Sequence, residues 1–157
     1  MLHILSETPV AGSAGPGQGL AWDGCRFNLL SDAGRAVDQL DERFPAARSV
    51  STARAYTCLA YDAEKRCYWA ASGQRPSTLF QLDSEFKETS QVRLKTCGQI
   101  TITSLSVQRC TGRLWIGHPS GVVLADRTGT VAHEPRGSAC WIRGASPCAP
   151  MRWSGGA

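Results

Sequence analysis

Histidine is scarce, closely paired cysteines are absent, and no long apolar run occurs; each lack removes a class of function. His3, His118 and His133 stand far apart with no partner motif beside any of them. The seven cysteines, Cys25, Cys58, Cys67, Cys97, Cys110, Cys140 and Cys148, are separated by 33, 9, 30, 13, 30 and 8 residues. Zinc ligands usually come in pairs roughly two to four residues apart, and none of these does. No apolar stretch approaches the ~20 residues of a spanning helix. The start, Met1 to Glu7, lacks the basic and apolar regions of a secretory leader. The expectation is a cytoplasmic protein with no membrane partner. Its thiols would be reduced and packed as small buried hydrophobes. Cys58 and Cys67 are also candidates to face each other across a hairpin.

Catalytic signatures are missing too. No Gly-x-Ser-x-Gly elbow occurs. The stretch Gly15-Pro16-Gly17-Gln18-Gly19 is not followed by the Lys-Ser/Thr of a phosphate loop, and reads as a flexible entry. His118-Pro119 falls in an expected loop, where binding residues collect, but an unremarkable surface histidine explains it as well. The sequence thus names no catalytic residue, no cofactor-binding residue and no metal ligand, and implies no cofactor.

A basic stripe is lacking as well. The net charge is +4, but Arg136, Arg143 and Arg152 lie in a tail without acids. Residues 1–135 are therefore close to neutral. A nucleic-acid partner would want basic charge on the folded body, and none is expected.

What is present is a composition rich in turns: 16 glycines and 8 prolines among 157 residues, with 42% hydrophobic and 19% charged. Such a chain buries a core as one soluble domain. Three segments share a plan. The first runs Leu20-Ala21-Trp22-Asp23, Phe27-Asn28-Leu29-Leu30 and Gln39-Leu40-Asp41 to Phe44. The second runs Leu59-Ala60-Tyr61-Asp62, Tyr68-Trp69-Ala70-Ala71 and Gln81-Leu82-Asp83 to Phe86. The third runs Leu105-Ser106-Val107, Leu114-Trp115-Ile116-Gly117 and Val122 to Asp126. Phe27 to Leu40 and Trp69 to Leu82 both span 13 residues, and Leu59 to Trp69 and Leu105 to Trp115 both span 10. This places Phe27, Trp69 and Trp115 at one position of the unit.

Each unit predicts short strands joined by turns. Asp23-Gly24 suits a two-residue hairpin turn, and fourth strands are expected from Phe44, Phe86 and Val131. Three hairpin-linked strands plus a fourth make a propeller blade. The fold expected is all-β: about three four-stranded blades, an incomplete or half propeller. A β-sandwich shows similar turn spacing, but seldom an internal repeat of this length. The expected parts are an N-terminal segment at 1–18, the repeat domain at 19–135 and an irregular basic tail at 136–157.

The middle unit carries a resemblance. Tyr56 to Asp62, Arg66 to Ala70 and Thr78 to Glu88 resemble the repeat of uncharacterised cysteine-rich β-propeller-like proteins of Firmicutes. The likeness covers roughly residues 19–130. The chain departs from that family in having fewer cysteines and in its tail. The resemblance implies the blade fold and no established activity.

Two sets of repeated residues have competing readings. Asp23, Asp41, Asp62, Asp83 and Asp126 recur at turns, where Asp bonds its own backbone; a ring of carboxylates for a cation is the alternative. Trp22, Trp69 and Trp115 are expected to fill the wedge between sheets, with a sugar platform as the alternative. In the tail, Trp141 and Trp153 near arginines form a candidate partner contact. The functional expectation is a non-enzymatic binding or scaffold module with a protein or small-ligand partner. The competing readings are a propeller-type lyase or hydrolase with a site at the axis of an assembled ring, and a truncated relic. Three blades fall short of the roughly 4–8 of a closed propeller: two chains could join into a six-bladed ring, the N-terminal segment and the tail could form or cover the missing sheets, or the chain is a fragment of a longer protein, and of these a homo-oligomer, a dimer completing a ring, is the expectation.

Overall fold

The computed structural model describes residues 19–40, 46–96 and 98–133. The segments 1–18 and 136–157, and with them His3, Asp41, Phe44, Trp141 and Trp153, lie outside the described residues, as does the side chain of His133. The described chain is all-β. Twelve strands form three four-stranded antiparallel sheets, each in simple sequence order. Blade 1 holds β1 (Gly19–Trp22), β2 (Phe27–Ser31), β3 (Ala36–Leu40) and β4 (Ala46–Ser51). Blade 2 holds β5 (Cys58–Asp62), β6 (Cys67–Ala71), β7 (Thr78–Leu82) and β8 (Glu88–Arg93). Blade 3 holds β9 (Ser104–Val107), β10 (Leu114–His118), β11 (Gly121–Ala125) and β12 (Val131–His133). First strands neighbour one another, β1 beside β5 and β5 beside β9. They line the axis of a partial propeller.

Strand pairing fixes the structural repeat. The third and fourth strands shift register at Gln39/Leu40, Gln81/Leu82 and Leu124/Ala125. A bulge at one place in all three blades makes Leu40, Leu82 and Ala125 equivalent. Phe27 faces Leu40, Tyr68 faces Leu82 and Leu114 faces Ala125. The true counterparts of Trp69 and Trp115 are therefore each other and Asn28, not Phe27. The shared 13-residue spacing misled by one residue, because the loops between second and third strands differ in length. In a strand one residue is a change of face.

Two cores follow from the two faces of blade 2. Leu59, Tyr68, Ala70, Phe80 and Leu82 pack on Ala21, Leu30 and Val37 of blade 1. Cys58, Trp69, Ala71 and Leu79 pack on Leu114, Ile116, Val123 and Ala125 of blade 3. Trp69 fills its wedge as expected, at 2% exposed. Trp22 and Trp115 do not, at 42% and 44%, because each lies on a face with no neighbouring blade among the described residues.

Several turns differ from expectation. Trp22 pairs with Phe27, so Asp23 to Arg26 make a four-residue loop and not a two-residue turn. The third-to-fourth-strand turn begins at Asp83 or Asp126. In both, the Asp backbone N–H donates to the carbonyl four residues on, and its Oδ1 accepts the N–H groups two and four residues on. The residue before the last of these has positive φ: Phe86 at 59° and Gly129 at 81°. Phe86 thus sits in the turn, before the strand expected to start on it, and still drops its ring into the first core.

Candidate functional site

The loops after the first strands converge at one end of the axis. They enclose a cleft of about 310 Å³ lined by Trp22, Asp23, Tyr61, Asp62, Glu64, Val107, Arg109 and Arg127 among others. A second cleft of about 440 Å³ continues between blades 1 and 2, lined by Arg26, Arg48, Arg66, Tyr68 and Glu85 among others. Trp22, Tyr61 and Val107 end the three first strands and give the first cleft an apolar wall.

The two aspartates are built alike. Asp23 Oδ1 accepts the backbone N–H groups of Cys25 at 2.8 Å and Arg26 at 2.7 Å, which closes its own loop. Its Oδ2 accepts Asn28 Nδ2 at 3.1 Å and the Tyr68 hydroxyl of the next blade at 2.9 Å. Gln39 donates to Asn28 Oδ1 behind them at 3.3 Å. Asp62 Oδ1 likewise accepts the Lys65 N–H at 3.2 Å, and its Oδ2 accepts the Trp69 indole N–H at 3.4 Å. The partner from the next blade is here a cation. Arg127 forks Asp62 at 2.7 and 2.9 Å and reaches Glu64 at 2.7 Å. Each aspartate thus shapes a loop and latches its blade to the one that follows. The turn reading of these residues holds for Asp23, Asp62, Asp83 and Asp126; the latch was not legible.

Electrostatics follow. Burial raises both carboxyls, but the donors around them outweigh it. The N–H groups of Cys25 and Arg26 hold Asp23 below the usual carboxylate range, as Arg127 does Asp62. Burial, then the bond to Asp23, pushes the Tyr68 phenol up. Hydrogen bonds to Asp62 and then Glu64 raise Arg127 further. Glu85, in the second cleft, is held by Arg48 at 2.6 Å. Every carboxylate lining the two clefts is therefore engaged by a donor of its own chain. Among the described residues the exposed Arg26, Arg66 and Arg109, one from each blade's first loop, carry no ion pair.

Residues singled out in the sequence are scattered. His118 ends β10 and pairs with Gly121, so it lies in a strand, with Nδ1 accepting the Ser120 N–H at 3.3 Å. Cys58 and Cys67 sit at opposite ends of their hairpin, opposite Ala71 and Asp62. Both are buried, and burial pushes the Cys58 thiol up to about 11. Cys25 and Cys110 are exposed, contrary to the buried-thiol expectation. No group of three or more His, Cys, Asp or Glu residues among those described is placed to hold a metal ion. No described helix is long and apolar enough to cross a membrane.

No family model matches the chain, and no curated protein is similar to it in sequence. Solved structures are. The fold is similar to glutaminyl cyclase of Myxococcus xanthus, a β-propeller, with a TM-score of 0.63 and 22% identity, over 73% of this chain and 50% of that one. It is also similar to hydrazine synthase of Kuenenia stuttgartiensis, with a TM-score of 0.56 and 10% identity, over 82% of this chain and 38% of that one. The chain spans about half the length of the first and less of the second. At these identities the likeness is one of fold: an all-β partial propeller.

Proposed function

We propose that the chain is a non-enzymatic binding module whose loop face takes an acidic partner. The observation that carries this is the asymmetry of charge engagement at the axial clefts. Asp23, Asp62, Glu64 and Glu85 are satisfied within the chain, whereas Arg109 in the first cleft and Arg26 and Arg66 in the second carry no ion pair among the described residues. A guanidinium fork matches a carboxylate in two parallel bonds.

An enzyme at the axis is the competing reading. In its favour, one fold neighbour is named as a cyclase and titratable groups do gather at the axis. Against it, a general base works best with a pKa near the operating pH, and the two axial aspartates are held the other way.

The test is titration with a hexaglutamate peptide and, in parallel, a hexalysine peptide, followed by calorimetry. Hexaglutamate should bind, weaken as salt rises, and lose about tenfold in affinity when Arg26, Arg66 and Arg109 are all changed to Ala. Preference for hexalysine, or indifference to the triple change, sinks the reading.

A further inference from the structure

We infer that two copies of this chain join head to tail, the open face of blade 1 in one copy against the open face of blade 3 in the other, and close a six-bladed ring. The inference stands on packing and does not rest on the ligand reading above.

The large exposed hydrophobics among the described residues are Leu20, Trp22, Trp115 and Val122. They are not scattered. Leu20 pairs with Leu29 and Trp22 with Phe27, which puts them on the face of blade 1 turned away from blade 2. Trp115 pairs with Leu124, and Val122 with Gly117, on the face of blade 3 turned away from blade 2. Asp38 and Leu40, farther from the axis on the blade 1 face, are buried, so the open part is the inner half.

Each open face repeats one that is already packed inside the chain. Leu20 and Trp22 occupy the positions of Leu59 and Tyr61, which press on blade 1. Trp115 and Val122 occupy the positions of Trp69 and Leu79, which are sealed by blade 3. Size alternates to match. Toward the preceding blade, first strands present Leu20 and Trp22, Leu59 and Tyr61, or Leu105 and Val107. Toward the following blade they present Gly19 and Ala21, Cys58 and Ala60, or Ser104 and Ser106. Small residues on one side receive large ones from the next blade. The small-sided face of blade 3 is shaped for Leu20 and Trp22, and a second copy supplies them. The contact is heterologous, and such contacts make rings when the rotation closes. Two chains give six blades, inside the range of about 4–8 that closes, and the axial cleft gains the same loops from the facing copy.

Sedimentation of the full chain tests this. A species of twice the 16.9 kDa of one chain is expected at high micromolar concentration. Trp22→Glu and Trp115→Glu should each raise the dissociation constant at least a hundredfold, with the circular dichroism of the blades unchanged because both side chains are exposed. Mixing the two variants should restore part of the dimer, since the mixed pair keeps one undamaged interface. A monomer at high concentration overturns the inference, as does a mass that climbs without limit, or a mixture that fails to recover any dimer.

Discussion

At the scale of single residues, the latch between Asp62 and Arg127 joins blade 2 to blade 3. Asp62 is 1% exposed, and its carboxylate is kept ionised there by the guanidinium fork. Removing one partner of a buried pair is expensive because the other charge is left behind. Arg127→Ala should therefore cost about 3 kcal/mol near neutral pH, the low end of that range because Lys65 and Trp69 still donate to Asp62. The pH dependence has a definite sign. In the wild type the Asp62 carboxyl is held below its unfolded value, so its contribution is full above that value and fades as pH falls through the folded one. Without Arg127 the carboxyl loses the largest of the bonds that hold it down, and it rises. The variant's deficit should then be largest near neutrality and shrink toward pH 4. Urea unfolding of both proteins across that interval measures it; a deficit that grows on acidification would contradict the latch.

At the scale of elements, the turn between third and fourth strands is one design written with two residues. Phe86 and Gly129 both adopt positive φ, but only Phe86 has space for its side chain, which sits in the first core. At Gly129 an added Cβ would lie 2.4 Å from the Arg93 carbonyl oxygen and 2.8 Å from Val92 Cγ1. Gly129→Ala must strain both backbone and contact, and should destabilise by roughly 2 kcal/mol, above the ~1 kcal/mol of an ordinary glycine site. Thermal unfolding of the variant checks this, and an unchanged midpoint would refute the close approach of Arg93 and Val92 to Gly129. These turns show what was legible in the sequence. Strand count, turn positions and the three-unit plan could be read because hairpins leave Asp and Gly at fixed offsets from apolar runs. Register could not. Phe27 looked like the partner of Trp69 because both are aromatic, yet bulge and pairing give that place to Asn28, a polar residue that bonds the Tyr68 hydroxyl at 3.0 Å. Nor could the latches be read. Arg127 lies 65 residues from Asp62, and no local pattern announces a bond over that separation.

At the scale of the whole molecule, Trp69 and Trp115 hold the same register position in consecutive blades, one covered by the chain itself and the other exposed. Their truncation separates folding from assembly. Trp69→Ala empties a site between two blades and should lower the unfolding free energy by about 3–5 kcal/mol at any protein concentration. Trp115→Ala removes a side chain that the single chain leaves exposed, and should leave the unfolding of the dilute protein unchanged. Binding to the folded state stabilises it by mass action. The wild-type melting temperature should therefore rise with protein concentration, while that of Trp115→Ala stays flat at the wild type's dilute value. If both rise in parallel, association uses some other surface. If neither rises, the two open faces have no second copy on them and the six-bladed ring is ruled out.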